Sequence, residues 1–216
     1  QLQVNGSQYL SSGLVSGQGR LVLEGGSVTG SSDLRSVPSG TVITSLASAT
    51  TSSIQNTGGI GNQYGAVTFD VEDGAAATDL SFAGPLFNSS ASTNTVTKSG
   101  AGLMTMGGTS TYPGATNINA GTLVLGGSIR STAAITVATG TTLEVTSINP
   151  FTTGHGAAEV ASQAIQVNGG TLRFTSTSEA RLGNIGLNGG TLTSNRGSGF
   201  GNGYDIYLGA LDSAGD

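Results

Sequence analysis

Apolar residues return along this chain at a repeated interval, and that interval limits what it can fold into. Leu123 and Leu143 stand 20 residues apart, and so do Leu172 and Leu192. Around each the pattern is the same. A glycine turn is followed by strict alternation of apolar and polar residues, as in Gly121-Thr122-Leu123-Val124-Leu125 and Gly170-Thr171-Leu172-Arg173-Phe174. Period-two alternation bounded by Gly, Asn and Pro predicts strands. A unit of about 20 residues has one layer of inward side chains and cannot enclose a core alone. Stacking the units buries Leu on Leu and Val on Ile, and lets strand N–H and C=O groups pair between units. Successive coils run the same way, so the sheets are parallel. The expected fold is all-β: a right-handed parallel β-helix, its hand taken from the usual crossover rule, with coils of about 20 residues.

Taken in order, the chain offers the alternations Leu2/Val4 and Leu21-Val22-Leu23, then Thr41-Val42-Ile43 after Pro38-Ser39-Gly40. A Ser/Thr/Ala-rich stretch follows, read as an irregular insertion near 44–62, either a loop or an extra strand on the solenoid wall. Order returns with Ala66-Val67-Thr68-Phe69-Asp70-Val71 and Leu80-Ser81-Phe82, and Asn88 to Thr95 reads as a loop. Ile135-Thr136-Val137 and Leu143-Glu144-Val145 come next. Leu143 to Leu172 spans 29 residues, and the excess coincides with Asn149-Pro150-Phe151 and Gly154-His155-Gly156, read as a protruding insertion near 146–164. Ala157–Gln163 is assigned a short helical turn. The pairs Ile165/Val167 and Ile185/Leu187 then resume the period, and Asn168 and Asn188 occupy equivalent turns where an amide ladder is expected. Residues 1–216 are read as a single β-helix domain. Because the chain opens at Gln1 and a fresh strand pattern, Tyr204 to Leu211, lies near its end, it is expected to be a segment of a longer chain or a filament subunit.

Composition agrees. Glycine is 37 of 216 residues, against a usual share of about 7%. Charged residues are 9%, against about 25%. Regular apolar alternation at such low charge argues against disorder. The net charge is −5 with only seven Lys and Arg, too few for a basic patch, so neither nucleic acid nor an anionic membrane surface is an expected partner. There is no cysteine, which removes disulfides, thiolate metal sites and thiol nucleophiles. No run of about 20 apolar residues reads as a membrane-spanning helix, and no signal peptide is recognised.

The stretch Thr97–Ile129 resembles the autotransporter-associated β-strand repeat, the passenger-associated repeat of bacterial surface proteins. The resemblance rests on Lys98 before Gly100-Ala101-Gly102, on Met104-Thr105-Met106 then Gly108, on Tyr112 near Gly114, and on Ile118-Asn119-Ala120-Gly121-Thr122-Leu123-Val124-Leu125-Gly126-Gly127. Leu103 stands where Thr is usual and the two Met where Leu is usual, which keeps the alternation. The resemblance implies export to the bacterial outer-membrane surface. It also implies a C-terminal barrel in the parent protein, and no barrel is expected within this stretch.

Parallel β-helices also host polysaccharide lyases and hydrolases, which need acids gathered on one wall. The best cluster is Asp70, Glu72 and Asp73. Asp70 and Glu72 alternate with Val71, so both are expected to face solvent, with Lys98 only loosely in range. His155 is the only histidine and has no visible partner. Arg173, Arg181 and Arg196 read as isolated exposed charges rather than a cationic row. Gly58-Gly59-Ile60-Gly61-Asn62 lacks the acids and the tandem copies of a calcium-binding repeat. Gly197–Gly203 has no Lys-Ser/Thr after it and is not a phosphate loop. Tyr64, Phe151, Phe200, Tyr204 and Tyr207 are too scattered for a carbohydrate-stacking face. No catalytic, cofactor-binding or metal residue is therefore assigned. The expected function is a non-enzymatic extracellular structural or adhesive β-solenoid: a surface stalk, passenger segment or filament building block. Its expected partners are itself end to end, neighbouring coils, surface glycans or host and matrix proteins. The alternative is a polysaccharide-binding or polysaccharide-degrading β-helix.

Overall fold

The computed structural model describes residues 2–5, 8–11, 20–31, 34–35, 40–61, 65–87, 94–130, 133–147, 150–151, 164–175, 180–181, 184–194, 206–207 and 211–212. Strands are the only regular structure among them, and every paired strand runs parallel to its neighbours. One sheet has ten strands, from Leu2–Asn5 to Leu211–Asp212, and a second has nine, from Gln8–Ser11 to Thr191–Ser194. Each coil visits the first sheet and then the second. Many then add a two-residue strand on a third wall, such as Ile60–Gly61 beside Leu86–Phe87, or Thr109–Ser110 beside Ser128–Ile129. The chain is a parallel β-helix. At about 4.8 Å per strand the ten-stranded sheet is about 45 Å along the stack.

Alternation sets the faces. In Val67–Val71 the three apolar residues are fully buried, with Thr68 and Asp70 between them only partly covered. The coils stack so that like meets like. Met104, Leu123, Leu143, Leu172 and Leu192 form one continuous column of the second sheet. Beside it run Ile54, Phe82, Met106, Leu125, Val145 and Phe174. Phe69 of the first sheet meets Phe82 of the second across the core, ring centroids 5.6 Å apart. One hydrophobic cluster runs from Leu21 to Ile185.

The 20-residue spacing is the actual register for Leu123 opposite Leu143 and for Leu172 opposite Leu192. Leu143 also lies opposite Leu172, so the nine extra residues leave the column at the place read as an insertion. Elsewhere the coil length is less uniform than expected: Ile118 to Val137 is 19 residues, Val137 to Val167 is 30. Asn168 and Asn188 lie opposite each other, and the bond that joins their corner is a backbone one, Gly169 N–H to the Asn188 carbonyl at 2.9 Å.

The stretch near 44–62 differs from its reading as an irregular insertion. Thr41–Ser45, Ser52–Ile54 and Ile60–Gly61 are strands of the first sheet, the second sheet and the third wall, a complete coil. It did not read as one because its inward positions include Thr41, Ser45 and Ser52, all buried. The helical turn expected at 157–163 lies outside the described residues.

Several corner turns between the first and second sheets use left-handed backbone. Gly121 has φ of 66°, and a Cβ there would fall 2.5 Å from the Gly102 carbonyl oxygen of the coil beneath. Only glycine relieves both constraints at once.

Candidate functional site

The charged residues that matter most lie at one corner, where the strands Val67–Val71 and Val96–Ser99 leave the first sheet. Lys98 occupies an inward position, 2% exposed, in register with Phe69 on one side and Ile118 on the other. Alternation places it there, since it shares the face of Val96, itself in register with Val67. Its Nζ donates to the carbonyl oxygens of Ser99 (2.9 Å), Gly100 (2.7 Å) and Ala120 (3.1 Å). The first two belong to its own coil and the third to the next. Desolvation by burial pulls its pKa down to about 8, against the attraction of Asp70 and Asp79. The sequence reading, which treated Lys98 as a neighbour only loosely in range of the acids, is corrected: Lys98 is a core residue that senses one of them, Asp70, and a further acid, Asp79.

Asp79 is the acid that sequence reasoning missed. It is 5% exposed, and its carboxylate accepts two backbone N–H bonds, from Gly74 and from Leu103, each 2.8 Å. Its own carbonyl accepts the Ser45 hydroxyl at 2.9 Å. One side chain thus closes the turn before Leu80–Phe82 and ties it to the next coil at Leu103–Met106. The available signal was an Asp directly before an apolar strand, where a carboxylate can cap a turn.

The predicted cluster is placed as follows. Asp70 is partly buried and accepts the Ser99 hydroxyl at 3.0 Å. Glu72 is exposed, and its carboxylate accepts the Ala47 N–H at 3.0 Å. Asp73 is exposed. Asp70 and Glu72 therefore stitch coils together, Asp70 to the coil after and Glu72 to the coil before. Among the described residues no group of three or more His, Cys, Asp or Glu is placed to hold a metal ion.

Arg173 is not isolated. It lies in register with Glu144 on the outer face of the second sheet and pairs with it at 3.4 Å, while Thr175 donates to the other Glu144 oxygen at 2.8 Å. Arg181 lies on the third wall in Ala180–Arg181. Phe151 is 3% exposed and belongs to the core. Tyr207 is in the strand Ile206–Tyr207. Tyr64, His155, Arg196, Phe200, Tyr204 and the run Gly197–Gly203 lie outside the described residues. Of the rejected calcium motif, Ile60 is buried in the third wall.

Tyr112 belongs to the core of the central coils, following the third-wall strand Thr109–Ser110. It is fully buried, with its hydroxyl 2.6 Å from the Thr116 hydroxyl, and burial pushes the phenol above its ordinary range. The Lys98 corner, the Met104/Met106 strand, Tyr112 and the Gly121 turn together fill one stretch of chain. Residues 96–125 match the passenger-associated-transport-repeat family. The match covers all but Gly126 and Gly127 of the residues quoted for the resemblance, and the family fits an autotransporter passenger-like structural protein. No curated protein and no solved structure matches the chain.

Proposed function

We propose that this chain is a structural segment of a bacterial surface passenger, a stiff non-catalytic rod that carries or spaces whatever it is joined to. One observation supports this reading above others: four charged side chains gathered at one corner, among the described residues, are engaged in holding the coils together. Lys98 bonds three carbonyls, Asp79 bonds two N–H groups, and Asp70 and Glu72 each accept a bond from a neighbouring coil. The passenger repeat at 96–125 supports the same reading and implies a secreted or surface-exposed protein. Among the described residues the strands Leu2–Asn5 and Leu211–Asp212 are the outermost of the ten-stranded sheet, and a parallel edge accepts another strand. End-to-end addition of further coils, from the same chain or from a second copy, is the partner chemistry this favours. Surface glycans or matrix proteins would then be met by whatever the rod presents, as an adhesive role requires.

The test is protease access on intact cells that make the whole protein. The reading expects the segment to be cleaved or shed by protease added outside, with the outer membrane unbroken. Protection that ends only when the membrane is permeabilised would overturn it. Turnover of neutral or acidic glycans, with or without calcium, lost in Asp70→Ala, would establish the polysaccharide-degrading alternative instead.

A further inference from the structure

The glycines that turn the chain from the first sheet to the second also set up a chemical reaction. Left-handed glycines at these corners are Gly25, Gly100, Gly121, Gly140, Gly169 and Gly189. The residues before them are Glu24, Ser99, Ala120, Thr139, Asn168 and Asn188. Asparagine stands before the glycine only at the last two of these corners, and both read Asn-Gly-Gly-Thr-Leu. The side-chain amide of an asparagine is open to attack by the backbone nitrogen of the residue that follows. A glycine there leaves the approach unhindered, because it has no Cβ and moves freely. With φ of 71° at Gly169 and 64° at Gly189, the turn demands the very residue that makes the preceding asparagine reactive.

The two corners are equal in sequence and unequal in structure. At the inner one the attacking nitrogen is engaged: the Gly169 N–H donates to the Asn188 carbonyl at 2.9 Å. The Thr139 hydroxyl donates to the Asn168 carbonyl at 3.1 Å, and the Gly140 N–H donates to the Gly169 carbonyl at 3.2 Å. A Cβ on Gly169 would fall 2.7 Å from the Thr139 hydroxyl oxygen. The coil before and the coil after both hold this corner. At the outer one Asn188 and Gly189 are exposed, whereas Asn168 and Gly169 are partly covered. A Cβ on Gly189 would meet nothing within 4 Å, and among the described residues no acceptor takes the Gly189 N–H.

We propose that Asn188 is a site of self-modification, converting to aspartate and isoaspartate without an enzyme, and that stacking of coil on coil protects Asn168 from the same reaction. The Gly189 nitrogen attacks the Asn188 side-chain carbonyl carbon and gives up its proton. The new N–Cγ bond forms, the Cγ–Nδ2 bond breaks, and the side-chain nitrogen leaves as ammonia with that proton. Water then opens the cyclic imide. Attack at one carbonyl gives aspartate, and attack at the other gives isoaspartate, whose side-chain carbon now lies in the main chain. Either product adds a negative charge at the corner. Isoaspartate also lengthens the backbone just before Thr191–Ser194, the strand in register with Thr171–Phe174.

The test compares the two asparagines within one molecule. The chain is aged at mildly alkaline pH, once folded and once in urea, then unfolded and cut briefly with trypsin. Cleavage at Arg181 and Arg196 isolates Asn188 in the peptide 182–196, and cleavage at Arg130 and Arg173 isolates Asn168 in 131–173. Mass spectrometry with fragmentation assigns each converted site, and enzymatic methylation scores isoaspartate. In urea the two are expected to convert at similar rates, since their local sequences are the same. In the folded chain Asn188 is expected to convert at least about tenfold faster than Asn168, because attack at the inner corner must wait for its coils to part. Asn188→Gln should remove the product from 182–196. Equal rates in the folded chain, or a faster Asn168, would overturn the proposal. So would a folded chain whose Asn188 stays intact while urea converts both, or product that persists in 182–196 of Asn188→Gln.

Discussion

The coil at 41–61 and the coil that opens at Val96 lie two apart in one stack, yet they bury opposite chemistry. The first turns Thr41, Ser45 and Ser52 inward, and the second turns Val96, Met104 and Met106 inward together with an ammonium group. Both pair in register with the same coil between them, the strands Val67–Val71 and Leu80–Phe82. An inward hydroxyl is accepted where a backbone group from a neighbouring coil bonds it. Ser45 donates to the Asp79 carbonyl, and Ser52 accepts the Gly25 N–H at 3.1 Å. The parallel ladder, rather than apolar content, decides what counts as a coil. Apolar content decides how firmly that coil is held.

This difference can be broken from either side. The largest effect is expected from Leu123→Ala, in the column between Met104 and Leu143: a loss of about 2–5 kcal/mol in urea unfolding, from lost burial and the cavity left behind. Asp79→Ala comes next, at about 2–4 kcal/mol, because two backbone N–H groups lose a charged acceptor. Since Asp79 bridges coils, its loss should also weaken hydrogen-exchange protection at both Gly74 and Leu103. Ser52→Ala should cost only about 1 kcal/mol, the worth of one neutral bond. Thr44→Val is expected to be neutral or slightly stabilising, because the buried Thr44 hydroxyl has no partner to lose.

The ammonium of the second coil should show itself in pH dependence. Lys98 has a folded pKa of about 8, below its unfolded value of 10.5. Between those values the unfolded chain holds more protons than the folded one, so stability rises with pH through that window. Tyr112 acts in the opposite sense. Its folded pKa lies above 10.0, so the unfolded chain loses that proton first and stability falls as pH passes 10. The urea midpoint is therefore expected to climb from pH 7.5 towards pH 9.5 and then decline. Lys98→Met should flatten the climb and leave the decline. A midpoint that is level from pH 7.5 to 9.5 in the wild type would contradict the burial of Lys98.

Most of the architecture was legible where inward residues are apolar. Leu123/Leu143 and Leu172/Leu192 fixed the period, and residues 96–125 match a passenger repeat. The coil at 41–61 was not legible, because alternation of Ser and Thr with other small residues carries no contrast between faces. The candidate site was half legible. Asp70 and Glu72 were found by alternation, but their bonds to Ser99 and Ala47 reach 29 and 25 residues away. Lys98 shares the face of Val96 by alternation, but one of the carbonyls that make its burial tolerable, that of Ala120, lies 22 residues away.

The sequence by itself determined the strand period, the glycine corners such as Gly121 and the stacked parallel class, because these follow from local backbone geometry and from the need of a one-layer unit to be covered. Tertiary structure alone decided which polar groups belong inside. A buried hydroxyl, carboxylate or ammonium is tolerated only when another coil brings an acceptor or donor to it. That depends on register between residues 20 to 30 apart, which no local pattern records.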